Sequence, residues 1–172
     1  MPDSFRFAKG GSAIVKSAAE FTRFASQRTW DKDVALWLGP ESALNSAILA
    51  VSGVSTVDLD LLDLFDESSL PDSEDDVIHF FRHALREKLV SIAPSIGQRR
   101  ILVVKSAGLL VRYNLGLREF FDWFCGDRGL AVLLIEGTPE KLDLPSEIEC
   151  HPRAIVNYFD RSDLAKNCFS TV

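Results

Sequence analysis

The sequence predicts a three-layer α/β/α domain built on a mostly parallel sheet. Three observations carry that expectation. The runs Val34-Ala35-Leu36-Trp37-Leu38, Ile101-Leu102-Val103-Val104 and Leu130 to Ile135 are short and apolar, as strands covered on both faces must be. Segments with helical spacing of apolar residues lie between them, and strands alternating with helices imply parallel crossovers. The first run passes through Gly39-Pro40 directly into a helix pattern, a strand–turn–helix join.

Taken in order, residues 1–11 read as a loose tail ending in Gly10-Gly11. Ser12 is placed to cap a helix over 13–28, with Ile14, Ala18, Phe21 and Ala25 on one face. A strand over 33–38 and a helix over 42–52 follow, closed by Gly53. Val54 to Leu61 alternates apolar with Ser, Thr and Asp, the pattern of a second strand. Asp66 to Asp76 holds six carboxylates, three serines and Pro71, and reads as an exposed loop capping the next helix. That helix, 75–92, is expected to bury Val77, Phe80, Phe81, Ala84 and Leu85. Pro94 to Gly97 breaks the chain before strand 101–104. A helix over 115–125 stops near Gly126, strand 130–135 runs to Glu136-Gly137, and 154–159 supplies a last strand. No linker or repeat interrupts the 172 residues, so one domain is expected.

The formal charge of −6 argues against nucleic acid or an acidic membrane as a direct partner, because phosphate surfaces attract cations. No apolar run reaches membrane-spanning length, and Met1 to Arg6 lacks a signal-peptide core, so a cytoplasmic location is expected. Cys125, Cys150 and Cys168 are isolated, and no Cys/His spacing suits zinc. His79 and His83 stand four apart with Asp75 and Glu87, but their stripe lies opposite Phe80, Phe81 and Ala84. It reads as a solvated face, and no metal is expected. Ser42 and Ser46 lack a nucleophile elbow, and His151 has no placed acid, so no hydrolase triad is expected.

Gly39-Pro40-Glu41-Ser42-Ala43-Leu44-Asn45-Ser46 has the frame of a phosphate loop, G-x-x-x-x-G-K-[ST]. Gly39 and Ser46 match. Leu44 replaces the second glycine and Asn45 the lysine, so close backbone approach and a fixed positive charge are both lost. In such proteins a second strand ends in a carboxylate that holds magnesium or activates water. The matching strand here, 101–104, is followed by Lys105-Ser106. Losses in two motifs that serve one ligand predict a domain with no bound nucleotide and no cofactor.

The order of elements resembles the small P-loop ATPases of the AAA type, and among them the small P-loop proteins of bacteriophage-exclusion defence systems. Val104-Lys105-Ser106-Ala107-Gly108-Leu109-Leu110-Val111 stands where those proteins carry D-N-x-E-x-L-F after the strand. The resemblance covers about residues 13–160. It implies an ATP-binding lysine at Asn45, a magnesium carboxylate at Lys105 and a polar sensor near Glu136, none of which matches. It also implies that Arg128, in Gly126-Asp127-Arg128-Gly129, could be offered to a neighbour's phosphate; a solvated turn is the plainer expectation, as is a charged strand entry for Arg99-Arg100.

Phe120, Phe121, Trp123 and Phe124 cannot all face one core, because helical neighbours point about 100° apart. An exposed apolar ridge there would mark an interface. The expected function is therefore a catalytically inactive pseudo-ATPase subunit that acts through protein partners. Those would be a larger ATPase or defence-complex subunit, or further copies of itself. Two alternatives stand beside it: an AAA-type ATPase or nucleotide switch with an unconventional loop, and an inhibitor or adaptor of the SulA or RecA type.

Overall fold

The computed structural model describes residues 4–6, 12–30, 34–65, 71–113, 117–135 and 168–170. The strands are β1 (Ser4–Arg6), β2 (Ser12–Ser17), β3 (Val34–Leu38), β4 (Ser55–Asp60), β5 (Arg100–Lys105), β6 (Gly129–Ile135) and β7 (Cys168–Ser170). The helices are α1 (Ala18–Ala25), α2 (Glu41–Leu49), α3 (Glu74–Ile92), α4 (Gly108–Arg112) and α5 (Arg118–Trp123), with a 3-10 turn at Leu61–Leu64. The sheet order is β1-β2-β7-β3-β6-β5-β4. All neighbours are parallel except β1 against β2.

The three apolar runs become β3, β6 and β5, side by side in the middle of the sheet. All five residues of β3 are buried. They alternate between two cores, which is why the run carries no polar residue. Val34, Leu36 and Leu38 pack with Phe81, Leu85, Leu89, Leu110, Phe120 and Phe124 from α3, α4 and α5. Ala35 and Trp37 pack with Phe21, Ala25, Leu44 and Ile48 from α1 and α2. Helices thus cover both faces in three layers. Of the apolar residues expected inside α3, Phe81 and Leu85 are buried, joined by Leu89, whereas Val77, Phe80 and Ala84 are half-buried.

The amino-terminal part differs from expectation. Residues 12–17 are not the start of a helix but the strand β2, and Ser4–Arg6 of the expected loose tail pairs with it. Ile14-Val15 is β-branched and favours extended backbone. The helix starts only at Ala18, where Ser17 and Glu20 form a capping box. The Glu20 amide donates to Ser17 Oγ at 3.3 Å, and the Ser17 amide to the Glu20 carboxylate at 2.8 Å. The two hydrogen bonds to Ser17 hold the Glu20 carboxyl below its ordinary range.

Arg99 is more than a charged strand entry. Its guanidinium lies 4.3 Å from the centre of the Trp30 ring and donates to the carbonyls of Ala25, at 3.3 Å, and Gln27. It therefore supplies donors to the exhausted carboxyl end of α1 and ties that helix to β5. Arg100 does the same for α3, donating to the Ile92 carbonyl at 2.9 Å. The expected strand at 154–159, together with Glu136, Cys150 and His151, lies outside the described residues.

Candidate functional site

In a parallel sheet the carboxyl ends of the strands form a crevice wherever successive connections leave on opposite faces. That condition is met here. The connection after β3 runs through α2 on one face, and the connection after β5 runs through α4 on the other. Their ends are two strands apart with β6 between them, roughly 10 Å at the spacing of adjacent strands. Gly39, the residues of α2's first turn, and Lys105 meet at this crevice.

Gly39 has φ 143°, a region glycine occupies and side-chain-bearing residues avoid, so its survival has a local backbone reason. The frame after it is not an open loop. Pro40 is the N-cap and the helix begins at Glu41. The amides of Ala43 and Leu44 donate to the Pro40 carbonyl at 3.2 and 3.4 Å. A phosphate loop needs several of these N–H groups turned toward the ligand; here they close the first helical turn. Leu44 is fully buried in the core between α2 and the sheet, where a glycine would leave a cavity. Asn45 is exposed, and Ser46 donates from Oγ to the Ser42 carbonyl at 2.9 Å, back along its own helix.

Lys105 reaches across the crevice. Its Nζ is 2.6 Å from Glu41 Oε1 and 3.5 Å from Asp58 Oδ2. The hydrogen bond that the ammonium donates to Glu41 raises its pKa above the ordinary lysine range, overcoming the partial burial that acts the other way. Ser106, immediately after it, adopts φ 55°, an uncommon conformation for a residue with a side chain, as the chain turns from β5 into α4. Glu41 and Asp58 thus face a lysine of their own protein. A fixed cation between the two would repel a divalent ion rather than share them with it.

The other sequence-predicted residues fall elsewhere. Arg128 enters β6 at its amino end, the rim opposite Gly39, where its carbonyl accepts from the Arg100 amide at 2.9 Å and its Nε lies 3.8 Å from Asp127. His79 and His83 are exposed, and His83 lies 3.7 Å from Glu87. Among the described residues no three His, Cys, Asp or Glu converge as metal ligands. Cys125 is half-buried and Cys168 lies on β7.

The expected apolar ridge on α5 is not exposed. Phe120 and Phe124 are buried in the core, and Phe121 and Trp123 are half-buried against it. The Arg86 guanidinium of α3 sits 4.1 Å from the centre of the Trp123 ring, and Trp123 Nε1 donates to Glu119 at 3.1 Å. The surplus rings are accounted for by α3 packing beside α5. Sequence reasoning missed Glu41 as a site residue. The available signal was an acid in the loop frame together with a lysine at the facing strand end.

No family model, curated protein or solved structure matches the chain. The fold therefore defines a class no finer than a three-layer α/β protein with a largely parallel sheet. No helix among the described residues is long and apolar enough to cross a membrane.

Proposed function

We propose that this chain is a catalytically silent P-loop domain, a pseudo-ATPase subunit that works by binding other proteins in a bacterial complex. Anti-phage defence is the setting suggested by its resemblance to bacteriophage-exclusion proteins. The single observation that carries the reading is the Lys105–Glu41 ion pair. It joins the carboxyl end of β5 to the first turn of α2, the two places where a P-loop protein would hold magnesium and phosphate. The helical closure of residues 41–44 and the burial of Leu44 support it independently.

Calorimetry of the full chain with ATP or GTP and magnesium tests it. No binding heat is expected up to about 1 mM nucleotide, an affinity limit of only about −4 kcal/mol. A saturable micromolar isotherm would overturn the silent-domain reading in favour of a nucleotide switch. Copurification with the products of neighbouring genes tests the partner half of the proposal.

A further inference from the structure

β4 is the last strand in the order of the described sheet. Among the described residues β4 pairs with β5 alone. The Ser55 amide donates to the Arg99 carbonyl at 3.0 Å. The backbone groups of Ser55, Val57 and Leu59 therefore turn toward β5, and by alternation those of Thr56, Asp58 and Asp60 turn outward. An unpaired row of donors and acceptors is a template for one more strand.

The two faces of this edge have different chemistry. On one, Leu59 is buried and Val57 is half-buried against the core beneath α3. On the other, Thr56 and Asp58 are exposed and Asp60 is half-buried. Among the described residues the cation that meets these acids is Lys105, 3.5 Å from Asp58, and its nearer partner is Glu41. Asp60 accepts the Leu62 amide at 3.0 Å. A second copy of β4 is a poor occupant. Antiparallel self-pairing centred on Asp58 or Leu59 would set Asp58 against Asp58 or Asp60 of the other copy, and like charges directly opposite destabilise a sheet. A strand of alternating basic and apolar residues would satisfy both faces.

We propose that β4 docks an extended segment of a partner protein, with alternating basic and apolar side chains, as an added strand. The inference deepens the reading of the chain as a protein-binding subunit and rests on it.

A capped octapeptide alternating arginine and valine is the probe, titrated against the full-length chain, with a glutamate–valine octapeptide as control. The basic peptide should bind saturably and the acidic one should not. Asp58→Asn with Asp60→Asn keeps the backbone and removes the charge, and should weaken binding about tenfold, with a matching loss on adding salt. Thr56→Pro keeps both charges and removes one outward donor without touching the β5 ladder, and should weaken binding about tenfold as well. Melting temperatures identify any variant that fails to fold. In the unaltered protein, amide exchange at Thr56, Asp58 and Asp60 should slow about tenfold or more when the basic peptide is bound.

Absence of saturable binding, equal binding of the acidic peptide, protection at other amides, or dimerisation through β4 would overturn the proposal. A partner complex that forms and survives both variants would leave the protein-binding function standing and remove only its assignment to β4.

Discussion

Lys105 and Glu41 meet at 2.6 Å across the end of β6, joining the carboxyl end of β5 to the first turn of the helix that follows β3. Each is about 30% exposed at its side chain, so the pair is neither desolvated nor fully screened. Its consequence is occupancy more than stability. It neutralises the acid at the amino end of α2 and sets a bonded pair of side chains between that helix and the end of β5.

A double-mutant cycle measures that pair. Lys105→Ala and Glu41→Gln should each cost under about 1 kcal/mol, with a coupling of about 0.5–1 kcal/mol in urea unfolding. Lys105→Asp should cost more than either, because it brings a third carboxylate to Glu41 and Asp58. A coupling of zero would mean that the two side chains do not hold each other in solution.

Restoring the glycine of the loop frame should not restore a phosphate site. Leu44 is fully buried, so Leu44→Gly removes a core side chain and weakens a helix interior. The expected loss is about 3–5 kcal/mol from the cavity and the glycine together. Leu44→Gly combined with Asn45→Lys should still show no ATP binding by calorimetry, because the amides of residues 43 and 44 remain tied to Pro40. Recovery of binding by that pair of changes would show that the helical turn opens readily.

How far the sequence carried differed along the chain. The central strands were legible because burial on both faces leaves only apolar residues in them, and Val34–Leu38 and Ile101–Val104 have no other reading as compact. The start of α1 was misread because Ile14, Ala18, Phe21 and Ala25 fit helical spacing, while Ser17-x-x-Glu20, a capping box, marked the true boundary. Pattern alone favoured the longer helix, and the capping hydrogen bonds together with pairing to β1 and β7 decided otherwise. The four rings of α5 were legible as surplus to one face, but not as the packing partners of Arg86 and α3, since sequence spacing carries no information about a neighbouring helix. Gly39, Leu44, Asn45 and Lys105 were found by frame. Glu41 was not, because its role exists only once β3 and β5 lie on either side of β6.

The same capping box makes a pH prediction. Glu20 has its carboxyl pKa lowered in the folded chain, chiefly by the Ser17 amide and then by the Ser17 hydroxyl. A group depressed on folding stabilises the fold above its unfolded value and loses that contribution as pH falls through the folded one. The stability difference between the natural chain and Glu20→Gln should be full above about pH 4.3 and fade in more acid solution. Lys105 has the opposite sign. Its raised pKa means that the difference from Lys105→Ala should persist up to about pH 10.4 and fall away only as pH climbs beyond it. Urea midpoints measured across both windows check each sign.

The aromatic residues of α5 separate a core role from an interface role. Phe120 is fully buried, and Phe120→Ala should cost about 3–5 kcal/mol through the cavity it leaves. Trp123 is half-buried, stacked by Arg86 and bonded to Glu119. Trp123→Ala should therefore lower stability by about 1–3 kcal/mol, a smaller loss than for Phe120 because part of the ring already meets water. Arg86→Ala should reproduce about 0.5–1 kcal/mol of that loss, and little further when Trp123 is already absent. Thermal unfolding of the three variants, paired with their sedimentation behaviour, decides the role. If Trp123→Ala melts like the unaltered chain while abolishing a partner complex or self-association, the ring belongs to an interface and its packing on α3 is incidental. If melting falls and association is unchanged, α5 is a core helix, and the partner surface must be sought elsewhere on the sheet.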